Sequence, residues 1–391
     1  FQAWDELPGL PEGRIGIYVG SHTHFSEKQN RAIDRFCATY DAIVICDHTS
    51  GYYGKYKLLP TLVQLQSDIT SPFPPLDLMV HIGEISAASF NDTIPAKEVW
   101  RVSEDGELRD PFKKLTTVFQ MSEEIFFLHY GKDGCNRHVL IDECRELFGE
   151  IYEQIPELPF CNIWTAMQLS SRLPKGALFH MGVSNTRRCW NMFQLPESVE
   201  SACNVGCCGI DGCVSTLVGA SLVNPDRLCY VVVGDLTFFY DLNSLGNHHI
   251  GTNLRVMLVN NGRGTEFRLG IHHCNVFGDD ADKYMAAAGH FGNKSPLLVK
   301  HYAEDLGFHY LSATTKEEFM TALSNFTNPQ LSDHSMILEV FTDSKDESEA
   351  LYLMSHIQSD AKGMVRSKLK DAVRNVAGEK GINAIKKILK K

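Results

Sequence analysis

Short apolar runs alternate with longer segments of helical spacing in the first third of the chain. The runs lie at residues 14–20, 42–47, 77–83 and 98–102. Runs of this length, bounded by polar residues or glycine, are typical of buried strands. Between the first two, Glu27–Tyr40 places apolar residues on one helical face. Because strands that alternate with helices form parallel sheets, we predict an α/β domain over residues 1–135.

The same pattern returns after two segments of helical spacing at residues 140–153 and 160–171. Further apolar runs lie at residues 178–181, 228–233, 254–259 and 335–341. Loops rich in Gly, Asn, Asp, Ser and Arg follow three of these runs. Ligands of doubly wound sheets bind beyond the carboxyl ends of the strands. We therefore predict a second parallel-sheet α/β domain over residues 136–350, and we place the ligand site there.

The last segment, residues 351–391, differs from the rest in charge. Residues 361–391 contain ten Lys or Arg against two acids, with apolar residues at helical spacing such as Leu369, Val373 and Val376. We predict a basic amphipathic helical tail. It would pack on its own body or on a dimer partner, or it would contact an anionic membrane surface.

Composition narrows the class of protein. The 391 residues are 43% hydrophobic and 22% charged, as in globular proteins, and no apolar run reaches the length of a membrane span. The net charge is -11, and the chain before residue 361 has 27 basic against 46 acidic residues, which argues against general nucleic-acid binding. Twelve cysteines, two of them adjacent, indicate reduced thiols and a cytoplasmic location.

The candidate chemistry lies where two of the predicted strands end. Gly234-Asp235 follows one strand and Asn260-Asn261 follows the next one. Carboxylate and amide oxygens are ligands that suit Mg²⁺, which also binds phosphate oxygens. A helix that begins near Thr237 would add backbone N–H groups facing a phosphate. The pair therefore predicts a clamp for a metal ion and a diphosphate.

This spacing resembles the cofactor motif of the thiamine diphosphate (ThDP) enzymes. The resemblance implies that Asp235, Asn261 and the backbone carbonyl of Arg263 hold Mg²⁺. The stretches NVGCCGIDGCVSTLVG at 204–219 and GDLTFFYDLNSL at 234–245 are similar to the MenD-like branch, the 2-succinyl-5-enolpyruvyl-6-hydroxy-3-cyclohexene-1-carboxylate synthases. The resemblance covers residues 140–345, and the first domain resembles the central domain of these enzymes in outline.

The resemblance also implies the residues that contact the cofactor. Ile210 would bend it, Thr237 would reach its diphosphate, and Phe267 would lie near its thiazolium ring. The full implied set is Ser184, Asn185, Thr186, Gly209, Ile210, Asp211, Gly234, Asp235, Leu236, Thr237, Asn261 and Phe267. The implied reaction is ThDP- and Mg²⁺-dependent decarboxylation of a 2-oxo acid donor, with C–C bond formation to a small-molecule acceptor.

Three positions depart from the branch on the substrate side. Val205 and Trp190 stand where the branch has arginines that hold substrate carboxylates, and Glu266 stands where it has isoleucine. Valine cannot replace a bidentate guanidinium. We therefore expect an intact cofactor site and an altered substrate site, with Arg187, Arg188 and Glu266 as candidate substrate residues.

The resemblance places the activating Glu on a separate pyrimidine-side domain upstream of the central domain. The chain begins where that domain should end, so we expect it to have been removed or to be supplied by a partner chain. No catalytic residue is then assigned here, and a homodimer or higher oligomer is implied. Two alternatives stay open: a non-catalytic, partner-dependent protein of ThDP-enzyme fold, and an acetolactate-synthase-like decarboxylase.

Four cysteines cluster between residues 203 and 213, namely Cys203, Cys207, Cys208 and Cys213. Their spacing lacks the paired C-x₂-C pattern of zinc and iron–sulfur sites. We expect these residues to pack a loop rather than to bind a metal ion.

Overall fold

The computed structural model of the chain describes residues 1–69, 73–84, 94–206, 208–270, 272–283 and 295–359. It contains two six-stranded sheets in which every strand pair is parallel. The predicted class, two parallel-sheet α/β domains, is confirmed. The predicted basic tail falls mostly on residues 360–391, outside the described residues. In the described ranges, no helix is both long and apolar enough to span a membrane.

The first sheet contains all four strands predicted from the apolar runs, together with two short or polar ones. Its strands are β1 (Ile15–Val19), β2 (Ile43–Cys46), β3 (Lys57–Leu58), β4 (Leu76–Ile82), β5 (Ala96–Ser103) and β6 (Leu115–Gln120), in the order β3-β2-β1-β4-β5-β6. The apolar pattern missed β3, which has two residues, and β6, an edge strand in which a single residue is buried.

The helices described alongside the first sheet are α1 (Glu27–Tyr40), α2 (Thr61–Leu65) and α3 (Glu123–Tyr130). The start of α1 is fixed by a capping box, in which the Ser26 hydroxyl accepts from the backbone N–H of Gln29 and the Gln29 side chain accepts from that of Ser26. The predicted apolar face of α1 is buried against the sheet, including Ile33 and Phe36.

The second sheet contains four predicted strands and two that the pattern missed, β8 and β11. Its strands are β7 (Leu178–Met181), β8 (Glu200–Cys203), β9 (Cys229–Gly234), β10 (Leu254–Asn260), β11 (His309–Ala313) and β12 (Met336–Phe341), in the order β11-β12-β10-β9-β7-β8. The two missed strands lie at the edges, where polar side chains are tolerated.

The strand order of the second sheet changes direction at β7. After β7 the chain first adds β8 on one side and then crosses to β9 on the other, from which the sheet continues to β10. Such a switch point leaves a crevice at the carboxyl ends of the two central strands. The crevice between β7 and β9 is therefore the place where the topology favours ligand binding.

Within the described ranges, eight helices accompany or precede the second sheet. They are α4 (Val139–Glu153), α5 (Asn162–Leu169), α6 (Asn185–Trp190), α7 (Cys213–Val223), α8 (Asp235–Asp241), α9 (Leu298–Asp305), α10 (Lys316–Phe326) and α11 (Ser344–Ser355). Short 3₁₀ segments include Ser170–Arg172, Leu242–Gly246, Thr265–Arg268 and His273–Lys283. The predicted boundary at 135/136 falls between α3 and α4, and α11 spans residue 350. The domain bounds themselves stay predictions.

A polar seam joins the end of β2 to the second sheet. The Asn191 amide accepts from the backbone N–H of His48 at 3.0 Å and donates to Asp47 Oδ2 at 3.1 Å. The His48 ring lies 2.8 Å from the Phe193 carbonyl, and the His48 carbonyl accepts from the Ser201 hydroxyl. These bonds hold the carboxyl edge of the first sheet against the second unit.

A second contact connects the end of α11 to the first unit. The buried Gln66 amide donates to the Met354 carbonyl at 2.8 Å, and its oxygen accepts from the backbone N–H groups of Ile357 and Gln358. One apolar cluster also extends from the first sheet through α4 and α5 into the second. The two sheets thus share a core in addition to their polar contacts.

Candidate functional site

The carboxyl ends of β7, β9 and β10 bring three loops to one edge of the second sheet. The register pairs Met181 with Val232, and Gly234 with Val259. Asp235 and Asn261 therefore follow neighbouring strands, and this predicted placement is confirmed. Gly234 ends β9, and Leu236 and Thr237 are buried on the helix that follows.

Asp235 is a buried carboxylate with an unsatisfied oxygen. Its side chain is 3% exposed; Oδ1 accepts from the backbone N–H of Leu236 at 2.8 Å, and Oδ2 has no hydrogen-bond partner among the described residues. Burial raises the pKa of Asp235 to about 7, against the effect of the N–H groups of Leu236, Gly262 and Arg263. A buried charge of this kind is costly unless a cation compensates it.

The predicted helix on this loop is present, and its start lies two residues earlier than expected. The helix begins at Asp235 and ends at Asp241, rather than beginning near Thr237. Gly234 has extended backbone angles and takes the N-cap position, so the chain enters the helix directly from β9. Asp235 consequently lies in the first turn of α8, with its side chain folded onto the backbone of the next residue.

The turn after β10 is held in place by its own asparagines. Asn260 Oδ1 accepts from Gly262 N–H, Asn261 Oδ1 accepts from Arg263 N–H, and the Thr265 hydroxyl donates to the Arg263 carbonyl, at 3.3 to 3.4 Å. Gly262 has a φ of +83°, which favours glycine. Asp235, the Asn261 amide and the Arg263 carbonyl offer oxygen ligands of the kind that Mg²⁺ binds, and their joint role as a metal site stays a prediction.

The sequence analysis did not identify Glu339, whose side chain hydrogen-bonds to this turn. Glu339 in β12 is 1% exposed; it accepts from the Asn260 amide and from the Tyr310 hydroxyl, each at 2.7 Å. Burial raises the pKa of Glu339, and these two bonds oppose the rise. A single carboxylate inside the apolar run at residues 335–341 was the signal that could have found it.

The loop after β7 turns sharply before α6. Ser184 is exposed and has φ 59° and ψ −122°, while Thr186, two residues later, is buried. These angles match the first central position of a type II′ turn, which glycine normally occupies. Asn185 opens α6 and directs its side-chain oxygen toward Arg188.

Arg188 and Glu266 form a two-pronged ion pair that connects this loop with the turn after β10. Their two N–O distances are 2.7 and 3.1 Å, and the side chains are only 13% and 21% exposed. A further N–H of Arg188 donates to Asn185 Oδ1 at 3.4 Å. Two of the predicted substrate residues thus contact each other.

The other two positions considered on the substrate side, Arg187 and Trp190, are not part of this ion pair. Burial raises the pKa of Cys203 to about 12 and also raises that of Tyr18, and the charge of Arg187 opposes both effects. Arg187 therefore lies toward the ends of β1 and β8. Trp190, in an arginine position of the branch, is fully buried; its ring packs at a tilt of 40° against Phe179, and it donates to Asn162 Oδ1 at 3.2 Å.

The remaining predicted cofactor residues lie in two segments. Gly209, Ile210 and Asp211 belong to the loop between β8 and α7, in which Ile210 is half-buried. Phe267 lies in the 3₁₀ segment Thr265–Arg268 and packs edge-to-face on the His272 ring, with ring centres 5.1 Å apart. Both segments follow strands of the second sheet at its carboxyl edge, and the roles of their residues stay predictions.

Glu347 on α11 is a second buried carboxylate that sequence reasoning missed. It is 1% exposed, and its Oε1 accepts from the backbone N–H of Asn162 and from the Thr342 hydroxyl, each at 2.9 Å. Burial raises the pKa of Glu347 to about 7, and interactions with Asn162, Thr342 and Asn185 oppose the rise. The sequence offered no signal, because several acids surround this position.

The eleven described cysteines are all free thiols. Burial raises the pKa of Cys37, Cys161 and Cys189, whereas Cys135 and Cys208 are exposed. Within the described ranges, no three or more His, Cys, Asp or Glu side chains form a group that could hold a metal ion. Cys207, part of the cysteine cluster in the sequence, lies outside the described residues.

No protein-family model matches the chain. Among curated proteins, a 2-succinyl-5-enolpyruvyl-6-hydroxy-3-cyclohexene-1-carboxylate synthase of Bacteroides fragilis is 34% identical over 263 residues, covering 66% of this chain and 45% of the relative. The enzymes of the same name from Phocaeicola vulgatus and Bacteroides thetaiotaomicron are each 32% identical, covering 66% of this chain and 44% of the relative. The match thus spans less than half the length of these relatives.

Two parallel-sheet units and this similarity define the class: the chain is a member of the ThDP-dependent enzyme family. Within that family, it belongs to the MenD-like branch, together with the synthases that it resembles. The resemblance inferred from the residues alone is confirmed.

Proposed function

We propose that this chain binds ThDP through Mg²⁺ and takes part in decarboxylation of a 2-oxo acid with C–C bond formation. The observation that carries the proposal is the buried Asp235 carboxylate, whose free oxygen lies at the switch-point edge beside the Asn261 turn. Bound ThDP would supply the group that attacks the 2-oxo acid and accepts the electron pair when CO₂ leaves.

In this proposal, the protein holds the metal ion and the cofactor and orients them. Asp235, Asn261 and the Arg263 carbonyl would bind the metal ion, which in turn neutralises a diphosphate. Ser184, Asn185 and Thr237 would contact that diphosphate from the two flanking loops. Ile210 and Phe267 would shape the space around the rings. None of these side chains has to act as a nucleophile, in agreement with chemistry that the cofactor carries.

We further propose that a pyrimidine-side domain, in cis or in trans, supplies the activating Glu, and that the working enzyme is at least a homodimer. The length of the relatives, about twice the matched stretch, supports the first point. The free thiols of the described cysteines support a cytoplasmic location. The donor would be a 2-oxo acid and the acceptor a second small molecule.

Calorimetric titration of ThDP into this chain, with and without Mg²⁺, tests the proposal. We expect binding that requires Mg²⁺ and that weakens by at least about 100-fold in Asp235→Ala, because a charged ligand of the metal is lost. A variant that binds ThDP as tightly as the native chain would contradict the metal assignment.

Asp226→Ala is the matched control for this experiment. Asp226 is an exposed aspartate in the turn before β9, at the opposite edge of the same sheet. We expect it to leave ThDP affinity unchanged. Equal losses in the two variants would mean that binding responds to overall charge rather than to a specific site.

A further inference from the structure

The ion pair of Arg188 and Glu266 occupies a position that bears on substrate choice. Arg188 lies on α6, which follows β7, and Glu266 lies in the 3₁₀ segment that follows the turn after β10. β9, which carries Asp235, lies between these two strands in the sheet. The pair therefore spans the switch-point crevice from one side of the proposed metal site to the other.

The contacts fix Arg188 in this arrangement. Two of its nitrogens are bound to the two Glu266 oxygens, and one of them also donates to Asn185. Bidentate pairs of this type are strong and directional. Behind Asn185, the buried Glu347 anchors the same region to α5 through the Asn162 backbone. Little freedom is left for the guanidinium to turn toward a ligand.

The charge balance follows from this geometry. The pair has no net charge, and both members are mostly buried. A substrate carboxylate placed against it would lose its water without gaining a free cation, and it would also lie close to the Glu266 carboxylate. Arg187, the neighbouring cation on α6, is not part of this pair; its charge acts on the pKa values of Tyr18 and Cys203 at the ends of β1 and β8.

We propose that Arg188 and Glu266 form a neutral wall of the substrate crevice. The wall selects substrates whose end at this position carries an uncharged hydrogen-bonding group, such as a hydroxyl, a carbonyl or an amide, and it disfavours a second carboxylate. This inference rests on the proposed function, because it assigns the crevice beside the metal site to substrate. It makes Glu266 a specificity-determining residue.

The test compares two probes that differ only at one end: succinate and its monoamide, succinamate. Their affinities for the chain are measured by NMR titration, with and without ThDP and Mg²⁺. We expect the native chain to bind succinate no more tightly than succinamate. Glu266→Gln frees Arg188 and should increase succinate affinity by about ten-fold, with succinamate nearly unchanged.

Variants of Arg188, alone and together with Glu266, test whether the change in probe affinity depends on the ion pair. Arg188→Gln leaves Glu266 unpaired and should favour succinamate over succinate, the opposite direction. The double variant R188Q/E266Q keeps the wall neutral and should restore the native ratio. Glu200→Gln breaks a similar ion pair between the first residue of β8 and Arg227, which precedes β9, at the other edge of the sheet, and should leave the ratio unchanged.

An unchanged succinate affinity in Glu266→Gln, including no detectable binding of either probe, would overturn the proposal. If that variant fails to fold, the reversed preference expected of Arg188→Gln still decides the matter. A native chain that does not bind ThDP would contradict the proposed function alone, because the probe ratio is also measured without the cofactor.

Discussion

At the scale of single residues, two buried carboxylates near the crevice have different surroundings. Asp235 has one oxygen free of hydrogen bonds beside a turn that can supply more oxygen ligands. Glu347 also has one oxygen without a hydrogen-bond partner among the described residues, but its other oxygen is held by the Asn162 backbone and the Thr342 hydroxyl, and it lies on α11. The proposed metal ligand is therefore Asp235, and the hydrogen bonds of Glu347 favour a structural role for that residue.

Glu347→Gln should change how stability depends on pH. The folded-state pKa of Glu347 is about 7, above the ordinary value of 4.5, so folding favours the protonated form. The native chain then loses stability as the pH rises from about 4.5 to 7, by on the order of 3 kcal/mol. Glutamine keeps the acceptor oxygen but cannot ionise, so it should remove this loss.

Urea unfolding at pH 5 and pH 8 measures the effect. We expect Glu347→Gln to match the native chain near pH 5 and to exceed its free energy of unfolding at pH 8. Asp235 is present in both proteins, so its own titration cancels in the difference. Glu349→Gln, at an exposed position on the same helix, should show no pH-dependent difference. A destabilised Glu347→Gln at pH 8 would argue for a charged Glu347.

At the scale of elements, the turn from β7 to α6 stores backbone strain next to the proposed diphosphate site. Ser184 holds backbone angles that glycine adopts without steric cost, and its side chain is exposed. Strained residues of this type cluster at ligand sites, where the surrounding structure maintains them. The strain therefore supports a functional role for this turn.

Ser184→Gly should relieve the strain and raise the free energy of unfolding by about 1 kcal/mol, as measured by urea unfolding. Ser184→Ala is the matched variant, because it removes the hydroxyl but keeps a Cβ in the strained position. We expect its stability to stay close to that of the native chain. Equal stabilisation by both substitutions would show that the side chain, not the backbone, is the source of strain.

The sequence predicted the strands at the centre of each sheet better than the strands at its edges. Central strands such as β1, β9 and β10 are continuous apolar runs, so burial on both faces made them readable. Edge strands β6 and β8 alternate or carry polar residues, and the pattern missed them. The placement of Asp235 and Asn261 at the ends of neighbouring strands followed from the parallel strand order. The Arg188–Glu266 ion pair could not be predicted in this way, because it joins side chains 78 residues apart in the sequence.

At the scale of the whole molecule, the two units are joined by a shared core and by a few specific polar contacts. Gln66 is one of these, because a single side chain binds the end of α11 and the residues after it. The segment that leaves the second unit is thereby held on the first. Loss of Gln66 should release this segment without unfolding either sheet.

Hydrogen exchange at the backbone amides of Ile357 and Gln358 measures this release. We expect Gln66→Ala to accelerate their exchange by about ten-fold, equivalent to roughly 1.4 kcal/mol, while strand amides keep their protection. Gln64→Ala is the control: Gln64 is also buried on α2, but its side-chain amide nitrogen has no hydrogen-bond partner among the described residues. Faster exchange throughout the chain would instead indicate global destabilisation.

The distribution of thiols gives the molecule a built-in attachment point for a reporter dye. Maleimide reagents react with accessible thiolates, so buried cysteines with raised pKa values, such as Cys161 and Cys189, should stay unlabelled. Cys135 and Cys208 are the exposed cysteines in the part of the chain that the structure describes. With Cys135 and Cys207 replaced by serine, a fluorophore on Cys208 would report movement of the loop that contains Ile210 in real time.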